Sequence, residues 1–547
     1  MVKGMQAMSF INMLVSAAEL VLGKHEINRI AINRLVKAGP SRPHAWSTIH
    51  DDYISWDGLT DRSYFARLLP PTRIPENVAL GTRHPPIEDL IPLFLAPRDQ
   101  QRPCLKSTCL FPAFAQYLTD GFLRTRMFND PPGAHTRPGV EDRRRTTSNH
   151  EIDLSALYGR TVEQTAVLRS GIGGRLKSQT IGGEEFPPFL YGDDQLPKSE
   201  FCDAGGILVL DEPLGVDSNK PGLPTLFAVG GDRVNASVQV AAINTLFLRE
   251  HNRLAALLAA DHPGWDDERL FQIARNINIV QFITIVVEEY INHISSAPFR
   301  FIADPSVAWD EGWNRANWMT IEFTLLYRWH SLVPERLVWN GNPIESPAFL
   351  LDNTLLCEGG LAHALAELSA NPAARMGLGN FAWFFDKAEA KGIAQGRYND
   401  LASYNAYREV MGLSRKQDFA DLLGASDDPG EQVRNDALAA ELERLYGEID
   451  NLEFYVGLFA EHHADNCPTP ELLLAMVAMD AFSQALPNPL LSRRIWEDEN
   501  NLRRTFADAG VASIKSTHSL RDILVRNGGA LLGDRFIGMT RPDWTEN

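Results

Sequence analysis

Several features that mark specialised classes of protein are scarce in this sequence. Its five cysteines are scattered and odd in number, and none forms a CxxC pair, so neither a disulfide framework nor a zinc site is predicted and a reducing, cytoplasmic setting is expected. Acidic residues outnumber basic residues by 70 to 52 and give a net charge of -18. This balance argues against nucleic-acid binding, because a surface that follows phosphates needs clustered lysine and arginine. The one basic run, Arg143 to Arg145, is typical of a solvated loop.

Long hydrophobic runs are also missing. The most apolar stretch near the N-terminus, residues 10–22, contains Asn12, Ser16 and Glu19 and is shorter than a bilayer span, so neither a transmembrane helix nor a clear signal peptide is predicted. Residues 7–37 show helical periodicity, with an apolar stripe formed by Phe10, Met13, Leu14, Ala17, Ala18 and Val21. Residues 1–45 are therefore predicted to form an amphipathic helical segment that either docks on the main body or lies in a membrane surface.

The composition is otherwise that of an ordinary soluble protein, with 44% apolar and 22% charged residues among 547. Residues 46–547 are predicted to form one mainly α body with very little β structure. Helical patterns cover residues 108–128, 236–261, 266–296, 314–332, 361–371 and 432–464, and short strands are predicted near 175–179 and 201–210. Proline and turn signals between residues 46 and 102 predict an irregular connection.

The stretch EFTLLYRWHSLVPE, residues 322–335, carries the strongest chemical signal. Tyr327 and His330 stand three apart on the predicted helix and would therefore project from one face. A lone histidine on a helix is more often a core residue than a ligand. An imidazole is nevertheless a standard axial ligand of haem iron, and a phenol near the iron can be oxidised to a radical that abstracts hydrogen from carbon.

Two further polar groups suit the same chemistry. Gln116 and Asp120 stand four apart on a predicted helix, and an amide and a carboxylate are groups that an oxygen or peroxide ligand could meet. Taken alone, this pair also fits an ordinary polar helix face. Arg233 precedes the helix that carries REHNR, residues 249–253, and its fixed charge could steady a developing anion on peroxide oxygen. REHNR itself is typical of a buried network of ion pairs and hydrogen bonds.

Taken together, these segments resemble the cyclooxygenases, the prostaglandin-endoperoxide synthase branch of the animal-type haem peroxidases. The resemblance is carried, in this order, by DDYISWDGLTDRSYFARLLPP, FAQYLTDGF, HEIDLSALYG, TLFLREHNRLAALLAADHPGWDDERLFQ, VEEYINHIS, EFTLLYRWHSLVPE and LYGEIDNLEFYVGL. It extends from about Lys37 to about His518 and implies a haem peroxidase/cyclooxygenase-like catalytic domain over residues 46–547. The epidermal-growth-factor-like module of the family is missing here, which suggests a bacterial-type relative.

The resemblance implies a role for each aromatic residue around the iron. His330 would ligate the iron of haem b, Trp329 of the same YRWH motif is grouped with the cofactor-binding residues, and Tyr327 would carry the radical. Tyr290 falls where the family has a tyrosine hydrogen-bonded to the radical one. Tyr455 matches the phenol that contacts the proximal histidine and holds the imidazole in place.

On the opposite side of the iron the resemblance is partial. Gln116 matches the distal glutamine, but Asp120 stands where the family has the distal histidine that takes a proton from peroxide. An exposed carboxylate would be a poorer base at neutral pH, and burial would raise its pKa. Arg233 matches an arginine of the wider superfamily that cyclooxygenases usually lack, so the chain combines features of two branches.

The substrate side departs from the family as well. Lys37 aligns with the arginine that pairs with the fatty-acid carboxylate, and it keeps the charge without the bidentate fork. Ala481 stands where cyclooxygenases have the serine that aspirin acetylates. Both residues are expected near the substrate, with a weakened carboxylate anchor.

A calcium ion is not expected, although part of a calcium loop is recognisable. Asp153 and Ser155 match positions of that loop in mammalian peroxidases. Gly121 replaces the aspartate that would complete the ligand set.

The leading hypothesis is a cyclooxygenase-like oxygenase in which a radical at Tyr327 takes hydrogen from a fatty acid or similar lipid and O2 then adds to the carbon. Two alternatives stay open. A haem peroxidase that oxidises small reductants with peroxide is favoured by Arg233, and a haem-binding protein without turnover is suggested by the lost distal histidine. A homodimer and a peripheral membrane contact through the N-terminal helix are open alternatives to a monomer and to a purely cytoplasmic location.

Overall fold

The computed structural model describes residues 22–39, 56–71, 84–125, 144–216, 223–463, 467–528 and 533–544. Within them the chain is mainly helical, as predicted, with three small antiparallel sheets of two strands each. The helices are α1 (Lys24–Val36), α2 (Trp56–Thr60), α3 (Ile87–Phe94), α4 (Leu110–Phe122), α5 (Ser155–Tyr158), α6 (Val162–Leu168), α7 (Val238–Asp261), α8 (Asp267–Ile285), α9 (Asn292–Ile294), α10 (Ile321–Leu326), α11 (Thr354–Gly359), α12 (Leu361–Ala370), α13 (Asp386–Tyr398), α14 (Tyr404–Val410), α15 (Phe419–Leu423), α16 (Pro429–Tyr446), α17 (Phe454–Ala460), α18 (Glu471–Ala485), α19 (Arg493–Trp496), α20 (Glu499–Lys515) and α21 (Leu520–Arg526). The strands are β1 (Pro103–Thr108), β2 (Gln179–Ile181), β3 (Glu184–Phe186), β4 (Arg336–Trp339), β5 (Asn342–Glu345) and β6 (Pro372–Ala374), and the pairs are β1 with β6, β2 with β3 and β4 with β5.

The core is built around helices α7 and α8, which pack against each other. Ser237 caps α7 by accepting a hydrogen bond from the Val240 N–H, and Asp266 caps α8 in the same way. Helix α4 packs on α7, and α20 packs on α8. The run Asp267–Ile294 is long and apolar enough to cross a membrane, but 83% of its apolar window is buried inside the fold. It is therefore a core helix of this body.

The predicted helices are only partly confirmed. The patterns at 236–261, 266–296 and 361–371 correspond to α7, to α8 with its continuation, and to α12. The continuation includes a π-helical turn at Val286–Ile291. The pattern at 314–332 is wrong, because its only α-helix is α10, and the pattern at 432–464 is broken into α16, a 3-10 turn and α17. Of the predicted strands, 175–179 overlaps only the start of β2, and 201–210 contributes a single bridge between Cys202 and Leu208.

The N-terminal helix α1 is docked on the body in its described part. It packs against α18, and its residues Ile32 and Val36 are buried. Asn33 accepts a hydrogen bond from the Trp313 indole at 2.8 Å, and Asn28 donates to the Ile302 carbonyl at 3.0 Å. The apolar stripe predicted at residues 10–21 lies outside the described residues.

The REHNR segment forms the buried network that its composition predicts. Glu250 is fully buried and accepts two hydrogen bonds of 2.8 Å from Arg253. Arg249 is paired with Glu184 at 2.8 Å. These contacts join α7 to the strand β3 region and to the C-terminal helices, so the segment stabilises the core and takes no part in the chemistry proposed below.

The expectation of a solvated loop at Arg143 to Arg145 is wrong for Arg145. Its side chain is 1% exposed and donates to Asp61 at 2.8 Å and to the Tyr64 hydroxyl at 2.7 Å. The arginine is buried because Asp61 supplies a counter-charge from a distant part of the chain, which local composition does not reveal.

Replacing Glu250 with alanine should lower the free energy of unfolding by about 3–5 kcal/mol, because it strands the buried donors that surround this carboxylate. Besides Arg253, Gln281 donates to it at 2.9 Å and Asn527 at 2.7 Å. Glu268 is the matched control: its side chain is 60% exposed and pairs with Arg169 at the surface, so Glu268→Ala should cost no more than about 1 kcal/mol. Chemical denaturation of both variants makes the comparison, and equal losses would contradict the assignment.

Candidate active site

The YRWH segment is not a continuous helix. Helix α10 is capped by Thr320, whose hydroxyl accepts the Phe323 N–H, and it ends at Leu326. The Trp329 indole then donates to the Leu326 carbonyl, the group that the backbone of the next helical turn would otherwise use. His330 begins a separate 3-10 turn. The prediction that Tyr327 and His330 project from one face of a single helix is therefore wrong.

His330 is held by a buried carboxylate that sequence reasoning missed. Its Nδ1 lies 2.6 Å from Oε1 of Glu389, and the other oxygen, Oε2, accepts a hydrogen bond of 2.7 Å from the Tyr455 hydroxyl. Tyr455 thus reaches the imidazole through Glu389, which corrects the expected direct contact. The pKa of the Tyr455 phenol is raised well above its usual range by burial and by the charge of Glu389, so the phenol stays protonated and donates.

The imidazole of His330 is held in one orientation that would allow it to bind a haem iron. It stacks on Phe385 with ring centroids 4.7 Å apart and planes 9° apart. Its Nδ1 is occupied by Glu389, while the described part of the chain gives Nε2 no hydrogen-bond partner, and a quarter of the side chain is exposed. A histidine with one nitrogen anchored to a carboxylate and the other open fits a metal ligand, and these residues fit a haem iron at Nε2.

Three aromatic side chains form a buried array next to His330. The ring of Tyr327 stacks on Trp329 at 4.8 Å, and Trp329 stacks on Tyr290 at 6.3 Å. Burial is the main cause that raises the pKa of Tyr327, and the neighbouring Tyr290 phenol acts against this rise. Tyr290 lies in the π-helical turn, and Phe111 of α4 packs against both Tyr290 and Trp329 at 5.5 Å. The sequence-predicted pair of tyrosines is therefore brought together, with Trp329 packed between aromatic rings.

Asp120 is a buried acid with an unusual environment. It is 2% exposed, and its carboxylate oxygens reach no hydrogen-bond donor among the described residues. The guanidinium of Arg233 is its nearest cation, with Nη1 3.8 Å from Oδ1. Burial, followed by the negative charge of Asp232, raises the pKa of Asp120 to about 7. The structure thus brings Asp120 and Arg233 together, as their predicted roles require.

Asp232, the acid beside Asp120, has a lowered pKa although it is also buried. Burial alone would raise its pKa, but Arg233 and Arg124 hold that pKa below its usual range, and Arg124 is also hydrogen-bonded to it. The acid pair therefore carries one negative charge firmly on Asp232 and one titrating proton on Asp120. Gly231 makes this packing possible, because a Cβ there would lie 2.0 Å from Oδ2 of Asp120.

Gln116 and the calcium-loop residues occupy the same side of the body. Gln116 lies one turn before Asp120 on α4 and is half-buried. Asp153 accepts the Ser155 N–H at 2.8 Å. A Cβ added at Gly121 would lie 2.7 Å from the Ser155 hydroxyl oxygen, which is closer than van der Waals contact allows. The hydroxyl of Ser155 therefore uses space that a side chain at position 121 would need.

The two substrate-side residues lie on adjacent helices. Lys37 follows the last residue of α1 and is paired with Glu311 at 2.6 Å. Ala481 lies on α18, which packs against both α1 and α10. Asp480, next to Ala481, is close enough to Tyr327 for its charge to raise the phenol pKa. Ala481 therefore lies on α18, close to Tyr327. Lys37 lies at the C-terminal end of α1, which packs against α18.

Comparisons with known proteins agree on the family. The model of the family "Animal haem peroxidase" matches residues 122–534. Prostaglandin G/H synthase 1 of Rattus norvegicus is 30% identical over 490 residues, which cover 89% of this chain and 74% of that protein. Prostaglandin G/H synthase 2 of Equus caballus is 30% identical over 482 residues, which cover 87% and 72% respectively.

Two solved structures share the fold. The fatty acid alpha-dioxygenase of Arabidopsis thaliana superposes with a TM-score of 0.68 at 15% identity, covering 99% of this chain and 94% of that one. Peroxidase A of Dictyostelium discoideum superposes with a TM-score of 0.65 at 19% identity, covering 87% and 95%. With the family match spanning most of the chain and an anchored histidine at its centre, the chain belongs to the animal haem peroxidase family and is a haem-dependent oxidoreductase.

Proposed function

We propose that the protein is an oxygenase that uses haem b to start radical oxidation of a fatty acid or similar lipid at Tyr327. The observation that carries this proposal is the buried array of Tyr327, Trp329 and Tyr290 beside the anchored His330. Bound at Nε2 of His330, haem supplies a one-electron oxidant once a peroxide has reacted with it. A phenol that is kept protonated by its raised pKa and is packed against aromatic rings suits one-electron oxidation with loss of its proton.

The proposed role of Tyr327 is a cycle of hydrogen-atom transfers. The oxidised phenol, a neutral radical, takes a hydrogen atom from a substrate C–H bond and becomes a phenol again. The carbon radical combines with O2, and the resulting peroxyl radical takes the hydrogen atom back from Tyr327 to give a hydroperoxide. Tyr290 packs in the same aromatic array, stacked on Trp329, and its phenol is close enough to Tyr327 to affect the pKa of that residue.

Asp120 is the proposed acid–base group for peroxide. With a pKa of about 7, it is partly ionised at neutral pH and can both take a proton from peroxide and return it to the leaving oxygen. Arg233, beside it, stabilises negative charge that develops on the peroxide oxygens. Burial thus makes this carboxylate a stronger base than an exposed one would be.

The lipid substrate is supported by the relatives and by the substrate-side helices. The fatty acid alpha-dioxygenase that shares the fold is an oxygenase of fatty acids by its name, and prostaglandin G/H synthase 1 is 30% identical over 89% of this chain. Ala481, on the helix that packs against α10 close to Tyr327, is the proposed contact of an alkyl chain. Lys37 is the proposed partner of a carboxylate head group.

A haem peroxidase of small reductants is the second candidate, favoured by the contact between Asp120 and Arg233. Both candidates need peroxide activation, and they differ in the need for Tyr327. A haem-binding protein without turnover remains the third and is the least favoured, because the buried acid has the proton affinity that peroxide chemistry needs.

Tyr327→Phe should abolish lipid-dependent oxygen uptake while the haem spectrum and peroxide consumption persist, because phenylalanine cannot form the phenoxyl radical. Oxygen-electrode assays on the haem-loaded protein with a panel of fatty acids measure this. Tyr191, a buried phenol outside the array, provides the control, and Tyr191→Phe should leave uptake unchanged. Full oxygen uptake by Tyr327→Phe would eliminate the oxygenase proposal and leave the peroxidase.

The rate of peroxide reduction should rise with pH, with a midpoint near 7, as Asp120 loses its proton and becomes the base. Asp120→Asn should lower the rate by about 100-fold or more and flatten this profile. Stopped-flow measurements with hydrogen peroxide between pH 5 and pH 9 give the profile.

Asp232→Asn provides the matched variant for the same measurement. It removes the like charge that helps to raise the pKa of Asp120, so the midpoint should move to lower pH while the maximal rate is kept. If the pH midpoint of the peroxide-reduction rate is unchanged in both Asp120→Asn and Asp232→Asn, a group other than Asp120 controls that rate.

A further inference from the structure

Glu389 is a fully buried carboxylate with two hydrogen-bond donors, His330 and Tyr455. Its side chain is 0% exposed, Oε1 meets Nδ1 of His330 at 2.6 Å, and Oε2 accepts from Tyr455 at 2.7 Å. Among the described residues, no lysine or arginine lies within salt-bridge distance of it. A buried carboxylate needs hydrogen bonds to both oxygens to offset its loss of hydration, and the His330 and Tyr455 contacts supply them.

We propose that Glu389 is a positioning residue that tunes the haem iron from the proximal side through His330. The inference rests on the proposed role of His330 as the iron ligand. A carboxylate on Nδ1 fixes the tautomer that leaves Nε2 for the metal and pulls the Nδ1 proton away from the ring, which makes the imidazole a stronger electron donor. The ferric iron is stabilised by this donation, so its reduction potential falls.

Tyr455 controls how strongly Glu389 attracts the Nδ1 proton of His330. Its hydroxyl donates to the second carboxylate oxygen and so disperses part of the negative charge that would otherwise act on the imidazole. Gly392, one turn after Glu389 on α13, leaves the room for this phenol, because a Cβ there would lie 2.7 Å from the tyrosine ring. Glu389 therefore acts on His330 directly, while Tyr455 and Gly392 act on His330 through Glu389.

The proximal residues and the distal residue Asp120 would contribute in different ways to the cleavage of peroxide. Electron density delivered from the proximal ligand favours cleavage of a peroxide O–O bond. On the other side, Asp120 stands where an imidazole would normally manage the proton, and only part of it is ionised at neutral pH. A strong donor on the proximal side compensates for a weaker base on the distal side.

The test is the ferric–ferrous reduction potential of the haem-loaded protein, measured by spectroelectrochemical titration, together with the iron–histidine stretching frequency of the ferrous form. Glu389→Gln should raise the potential and lower the stretching frequency, because a neutral amide accepts more weakly. Tyr455→Phe should do the opposite, since Glu389 then acts on His330 alone. A purely structural contact would not give shifts of opposite sign.

Glu322→Gln is the matched control. Glu322 is also a fully buried glutamate that accepts a hydrogen bond from a tyrosine, Tyr407, at 2.9 Å, but it does not contact His330. Its substitution should leave both the potential and the stretching frequency unchanged. Gly392→Ala should displace the Tyr455 ring and reproduce the shift of Tyr455→Phe, which provides a test even if Glu389→Gln retains no haem.

The outcomes separate this inference from the proposed function. Unchanged potential and frequency in Glu389→Gln, or in Tyr455→Phe and Gly392→Ala where the first variant retains no haem, would overturn the tuning role while leaving the oxygenase intact. Opposite shifts in a protein whose oxygen uptake survives Tyr327→Phe would confirm the tuning and reject the oxygenase. A wild-type protein whose haem is not ligated by histidine would remove the basis of both.

Discussion

The contact between His330 and Glu389 is the constraint on which the site depends. Three separate segments must meet for it to form: the 3-10 turn at His330, helix α13 with Glu389, and helix α17 with Tyr455. A buried carboxylate is tolerated only while its oxygens are hydrogen-bonded, since losing either donor leaves an oxygen both dehydrated and unpaired. The same requirement that stabilises this part of the core therefore also orients the imidazole.

In the proposed function, two buried carboxylates would serve the two sides of a bound haem, and their surroundings differ. Glu389 meets two hydrogen-bond donors, so its proposed task is to accept from both. Asp120 has no donor, and a second acid, Asp232, lies beside it, so it holds a proton that can be exchanged near neutral pH. The arginines around Asp232 keep the second negative charge in place. The same functional group, a buried carboxylate, thus serves as a hydrogen-bond acceptor in one place and as a carrier of an exchangeable proton in the other.

The sequence predicts those parts of the molecule whose signals are local. Helix α7 was predictable because its apolar period continues for 24 residues behind a serine cap, and REHNR because its charges sit within that buried helix. The break after Leu326 was not, since it depends on where the Trp329 indole donates. Glu389 was hidden because its partners lie 59 and 66 residues away, while its own helix shows the mixed charges of an exposed surface. Tertiary partners, which periodicity cannot reveal, decide both features.

The surroundings of Lys37 indicate how a lipid would be selected. Lys37 is more than half exposed and already paired with Glu311, so a substrate carboxylate would exchange one exposed ion pair for another, a gain of no more than about 1 kcal/mol. Each buried methylene contributes about 0.8 kcal/mol, so a few carbons of the alkyl chain outweigh the head group. Affinity should therefore follow chain length more than the presence of a free carboxylate. An esterified or amidated lipid would lose little at Lys37, and the position of its chain beside Tyr327 would decide which carbon is oxidised.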